Sequence, residues 1–97
     1  MDDNSVSRTV TVVNPEGVHA RPADMFARTA SRFSSEIQVS KNGQSVDGKS
    51  ILGILTLAAE EGSQLEIDAS GEDAAQAIDA LAQLVQAGFT EDQNIRG

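Results

Sequence analysis

The feature that most restricts the fold is a repeated switch of hydrophobic period within 97 residues. Ala23, Phe26, Ala27, Ala30 and Phe33 recur at helical spacing, which predicts an amphipathic helix over about 21–33. Glu36 to Lys41 instead alternates, with Ile37 and Val39 on one face, as a half-buried strand does. Asn42-Gly43 follows, the strongest short hairpin signal, and Gln44 to Asp47 return as a second short strand. A chain that changes period this often has to place helices against a sheet.

The remaining segments complete the pattern. Residues 6–13, rich in Val and Thr, predict a strand. Asn14-Pro15-Glu16-Gly17 is turn chemistry. Pro22 suits the first turn of the helix after it, and Asp24 is expected to complement the positive helix N-terminus. Ser50 predicts an N-cap for a short helix with Ile51, Leu52, Leu55 and Leu57 apolar, closed by Glu61-Gly62. Gln64 to Ala69 alternates, with Leu65 and Ile67 inward. Ser70-Gly71-Glu72-Asp73 resembles a capping box before a last helix striped by Ala74, Ala77, Ile78, Leu81, Leu84 and Val85 and ended by Gly88. The expected order is strand-helix-strand-strand-helix-strand-helix. That is an α+β open-faced sandwich, a four-stranded, mostly antiparallel sheet with three helices on one face. A single domain over 1–97 is expected, with its core at about 6–88 and loose tails at 1–5 and 90–97.

Charge and composition narrow the chemistry. Fifteen acidic against seven basic side chains give a net charge of −8. Such a balance disfavours nucleic acid and anionic membrane as partners. The absence of cysteine excludes disulfides and thiolate metal sites and favours a reducing cytoplasm. One histidine cannot build a multi-histidine metal centre. The opening MDDNSVSRTV is acidic and polar, unlike a signal peptide. Yet Arg21, Arg28 and Arg32 lie within twelve positions, a local basic face on an acidic body. It suits a small anionic ligand or an acidic protein partner.

The sharpest motif is Gly17-Val18-His19-Ala20-Arg21-Pro22, which sets the lone histidine just before a helix N-terminus. First-turn amides there have no partner within the helix and suit phosphoryl oxygens. Arg21 adds a fork of donors matched to phosphate. An imidazole there offers a ring nitrogen that can attack phosphorus. From spacing alone, a turn histidine beside a solvated arginine is the commoner outcome.

GVHARPA, the amphipathic helix, the Asn-Gly hairpin, the Lys-Ser-Ile segment and AAEEGSQLEI together resemble the HPr family. These are the histidine-containing phosphocarriers of the bacterial phosphotransferase system, and the likeness spans about Val6 to Val85. It implies that His19 accepts a phosphoryl group through Nδ1, that Arg21 stabilises it, and that the amides of Ala20 and Arg21 hold it. It implies enzyme I as donor, IIA-type domains as acceptors, no cofactor and no autonomous enzyme activity. Ser50 falls on the family's regulatory serine, the target of an HPr kinase/phosphorylase in many members. A regulatory module acting through phospho-Ser50 on a transcription factor is the alternative function. Within the family, Gln86 to Asp92 resembles the nitrogen-related carriers called NPr, whereas Lys49 to Leu57 resembles the sugar-type carriers.

Two further features bear on partners. Gly43 to Ser50 satisfies the phosphate-loop pattern GxxxxGK[ST], but that chemistry needs a buried parallel strand and a long helix, so the match reads as coincidence. A short helix cannot bury every face. Ile51, Leu52 and Leu55 are therefore expected to leave an apolar patch beside a basic rim of Arg21, Arg28, Arg32 and Lys49, a docking surface. For Arg32 an ordinary solvated position is an equal reading. A monomer is expected.

Overall fold

The computed structural model describes residues 4–90. Seven elements follow in the expected order: β1 (Ser5–Thr11), α1 (Ala20–Ala30), β2 (Glu36–Lys41), β3 (Gln44–Asp47), α2 (Ile51–Thr56), β4 (Gln64–Ser70) and α3 (Ala74–Gln86). Asn42 and Gly43 both adopt left-handed backbone, at φ 52° and 87°. Those are the signs of a type I′ turn, whose twist matches the strands it joins. Its register sets Lys41 opposite Gln44 and Val39 opposite Val46.

The strands lie in the order β1-β4-β2-β3, and every neighbouring pair is antiparallel. The sheet expected to be mostly antiparallel is wholly so among the described residues. Alternation sorts its two faces. Val10, Ile37, Val39, Leu65, Ile67 and Ala69 are buried beneath the helices, while Thr9, Gln38, Gln64 and Glu66 face solvent. Arg8 interrupts the inward row of β1 and pairs at the rim with Asp79 of α3, 3.1 Å away. Ala77, Ile78, Leu81, Ala82 and Val85 bring α3 onto β1 and β4, and Phe26 anchors α1 in the same core. Ile67 and Ile78 are fully buried, each contributing roughly 1.5–3 kcal/mol.

Several boundaries differ from those expected. β1 begins at Ser5, which pairs with Ser70. The other residues of the expected tails, apart from Asn4 and Thr90, lie outside the described residues. α1 ends at Ala30, because tighter turns take over: Arg32 N–H donates to Thr29 and Phe33 N–H to Ala30. Phe33 packs against the core from outside the helix. α2 stops at Thr56, five residues before Glu61. Ala58 turns left-handed at φ 50°, and Lys41 Nζ donates to the carbonyls of Leu57 and Ala58 at 2.8 and 3.2 Å. Ile54, absent from the expected stripe, is the buried residue of α2.

The capping box does not form. Asp73 makes no side-chain cap on α3; its carboxylate accepts from the N–H groups of Ser34 and Ser35, at 2.9 and 3.0 Å, and from Ser35 Oγ at 2.5 Å. The Ser35 hydroxyl first and the Ser34 amide second hold its pKa at about 2, below an ordinary 3.8. One side chain thus staples the α1–β2 loop to the start of α3.

Candidate functional site

His19 is the N-cap of α1, exposed, with extended backbone (φ −107°, ψ −151°) and no side-chain hydrogen bond to the helix. The turn before it places it there. Gly17 takes φ 75°, and its N–H donates to the Asn14 carbonyl at 3.0 Å. Val18 is buried, and its N–H donates to the Ala59 carbonyl at 2.9 Å. On the helical side the His19 carbonyl accepts the Ala23 N–H at 2.9 Å.

Pro22 is the third helical residue and carries no N–H. Within the first turn, therefore, the backbone N–H donors come from Ala20 and Arg21. These are the two amides that the family resemblance singles out. Partial positive charge at this mouth favours an anion beside the imidazole.

Arg21 is exposed and lines a shallow cleft of about 240 Å³ together with His19. Glu16 and Met25 lie along the same cleft, and its far wall is the end of α3, at Gly88 and Phe89. That end is a Schellman cap: Gly88 N–H donates to Val85 and Phe89 N–H to Leu84, both at 3.0 Å. The cap fixes Phe89, at φ 61°, beside the histidine turn. Glu16, Met25 and Phe89 were not among the candidates. Gly88, read only as a helix stop, was the one local sign that the chain turns there.

Arg21, Arg28 and Arg32 line one open groove between α1 and Leu84 of α3, so the three arginines share a side as their spacing suggests. Asp24 lies in this groove as well. It is the fifth residue of α1, too far along to serve the N-terminus, and it accepts from Arg28 Nε at 2.9 Å. Lys49 stands apart from the arginines. Its Nζ donates to the Phe33 carbonyl at 2.8 Å, and it borders a separate depression with Glu36 and Asp47.

Ser50 caps α2, its Oγ accepting from Gly53 N–H at 3.0 Å. Beyond it Leu52 is 75% and Ile51 39% exposed, whereas Leu55 is half-buried against the core. The phosphate-loop pattern makes no cradle. Gly43 sits in the hairpin turn, β3 is an antiparallel edge strand, α2 has six residues, and Lys49 and Ser50 are engaged as just described.

Known proteins resemble this chain in both sequence and fold. A family model described as the PTS HPr component phosphorylation site matches residues 6–87. The phosphocarrier protein HPr of Neisseria meningitidis serogroup A is 40% identical over 88 residues, covering 91% of this chain and 99% of that protein. The crystal structure of HPr-C-His from Thermoanaerobacter tengcongensis superposes with a TM-score of 0.85 at 42% identity, covering 89% of this chain and 97% of that one. A phosphocarrier protein HPr from Bacillus anthracis gives 0.83 at 42% identity, covering 87% and 100%. With likeness spanning nearly the whole chain in sequence and in fold, this protein belongs to the HPr family of phosphocarriers of the phosphotransferase system.

Proposed function

We propose that His19 accepts a phosphoryl group through Nδ1 from phosphoenolpyruvate-charged enzyme I and passes it to IIA-type domains. The observation that carries this reading is the exposed imidazole at the mouth of α1, in one cleft with Arg21 and beside the amides of Ala20 and Arg21. In the transfer the N–P bond forms as the donor's bond to phosphorus breaks. The same donors serve the phosphoryl group in transit and in the product, so catalysis is positioning and charge stabilisation shared with each partner. Nothing in that chemistry requires a cofactor, and the chain is a stoichiometric carrier rather than an autonomous enzyme.

Leu52 and Ile51 supply an exposed apolar surface on α2, which packs against α1. With Leu55 beneath them, Arg21 and Arg28 in the neighbouring groove and Lys49 at the start of α2, they form the docking face for partners. Ser50 stands at the edge of this face, and its half-buried hydroxyl caps α2. A phosphate placed there by an HPr kinase/phosphorylase adds about two negative charges and repels an acidic partner. The carrier acts as a cytoplasmic monomer, and no helix among the described residues is long and apolar enough to cross a membrane. Incubation with the enzyme I of sugar uptake and with its nitrogen-related counterpart separates the HPr role from the NPr role.

The deciding experiment is incubation with phosphoenolpyruvate and enzyme I, followed by location of an acid-labile, base-stable modification. His19→Ala is expected to abolish acceptance while leaving the fold intact, because an exposed N-cap side chain that makes no cap hydrogen bond contributes little stability. A phosphoryl group found on the alanine variant at another nitrogen overturns the assignment.

A further inference from the structure

We infer that Asn14 is the positioning residue that aims His19 for phosphoryl transfer, an inference that rests on His19 being the acceptor. Asn14 is buried, only 8% exposed, within a turn where polar side chains ordinarily face water. Its Nδ2 donates to the Gly17 carbonyl at 2.8 Å, while its own main-chain carbonyl accepts the Gly17 N–H at 3.0 Å. The next N–H, that of Val18, donates to Ala59 at 2.9 Å. The Gly17–Val18 peptide is thus held at both ends, its oxygen by Asn14 and its hydrogen by Ala59. His19 follows at once, and its side chain makes no cap hydrogen bond of its own. The direction of the ring is inherited from this backbone, and the Asn14 amide is the side-chain tether in the set.

The other half of the amide supports the same role. Asn14 Oδ1 is buried with no hydrogen-bond partner among the described residues. Rotating the amide by half a turn would set that oxygen against the Gly17 carbonyl oxygen, two acceptors face to face, so the hydrogen-bond network dictates the orientation. An apolar side chain would leave no acceptor stranded, and a carboxylate could not donate. Asparagine therefore leaves a buried oxygen unpaired among the described residues in return for one donor bond. Such an exception to full pairing calls for an explanation, and its position supplies one. Asn14 borders the same cleft as His19 and Arg21.

Loss of this bond frees the Gly17 carbonyl and lets the imidazole drift, while the arginine groove and the apolar face of α2 keep their places. Misplacement of a reacting group by about 1 Å can cost roughly a hundredfold in rate, so a partial release is expected to cost about tenfold. The effect falls on kcat and spares KM, because the apolar docking residues Ile51, Leu52 and Leu55 of α2 do not line the cleft that Asn14 borders.

The test measures initial rates of phosphoryl acceptance from charged enzyme I against carrier concentration, using the full chain. Wild type is compared with Asn14→Ala, with the isosteric Asn14→Asp, and with Ile67→Val as a destabilised control remote from the cleft. Both Asn14 variants are expected to lose about tenfold in kcat with KM within about twofold, and to shift the NMR resonances of the His19 ring. Ile67→Val is expected to keep wild-type kcat and ring resonances despite its loss of stability. Asn14→Asp preserves side-chain volume, so it carries the comparison if Asn14→Ala does not fold. Wild-type kcat and unmoved His19 resonances in the Asn14 variants, measured well below their melting temperatures, overturn the inference. Failure of the wild-type chain to accept phosphoryl at His19 is a separate result, which removes the acceptor reading and this inference with it.

Discussion

A Cβ built on Gly17 would stand 2.6 Å from the carbonyl oxygen of Ala59, the same oxygen that receives the Val18 N–H. The β4-side loop and the histidine turn therefore meet at backbone contact, and only a residue without a side chain lets them. Gly17→Ala faces both this overlap and a left-handed φ of 75°. The conformation alone costs about 1–3 kcal/mol, and the overlap adds to it. Thermal unfolding is expected to show a melting temperature lowered by at least several degrees, and phosphoryl acceptance at a permissive temperature is expected to slow with it.

Arg21 lines the same cleft as His19. A hydrogen bond to a charged group is worth about 1.5–3 kcal/mol, which corresponds to roughly 10- to 100-fold in rate. Arg21→Ala is expected to lose that much in kcat/KM for acceptance from enzyme I. Arg21→Lys keeps the charge without the planar fork and is expected to fall between. Rapid-quench kinetics with labelled phosphoenolpyruvate measures all three proteins.

Leu52 has three-quarters of its surface exposed, a poor arrangement for an isolated chain and a useful one for docking. Leu52→Asp is expected to change stability by less than about 0.5 kcal/mol, as surface substitutions do. If Leu52 anchors the partner, the same change raises KM for enzyme I by about tenfold, the size of an interface anchor worth more than 1 kcal/mol. Titration calorimetry with enzyme I and a denaturation curve separate the two quantities.

Asp73 links acid stability to the Ser34–Ser35 loop. Its pKa is depressed by folding, to about 2 against an ordinary 3.8, so the folded state prefers the ionised carboxylate. The stability it contributes is complete above the unfolded value and is lost as pH falls through the folded one. Wild type is expected to lose stability progressively between about pH 4 and pH 2, a loss that Asp73→Asn lacks for this site. Urea midpoints at pH 7, 4, 3 and 2 for both proteins give the comparison.

The order of elements, the hairpin and the histidine motif were legible because each is encoded by near neighbours. Asn42-Gly43 can adopt its two positive φ values wherever it stands, and His19, Arg21 and Pro22 occupy the N-cap and first turn of one helix. Helix ends were less legible. Glu61-Gly62 is a turn, as its composition suggests, but α2 had already been ended by Ala58 and by a lysine sixteen residues upstream in β2.

Local pattern settled what each segment became, since helical and strand periods depend on spacings of a few residues. The meeting of segments belonged to the fold. Asp73 bonds Ser35 from 38 positions away, Val18 finds its acceptor at Ala59, and Phe89 arrives beside His19 from the far end of α3. No short-range spacing records such partners. A carboxylate goes to whichever donors burial brings near, and a turn becomes rigid only when a distant loop's carbonyl is packed against it. The sequence by itself determined that a histidine would stand at a helix mouth; the tertiary structure alone decided how firmly that histidine is held, and by whom.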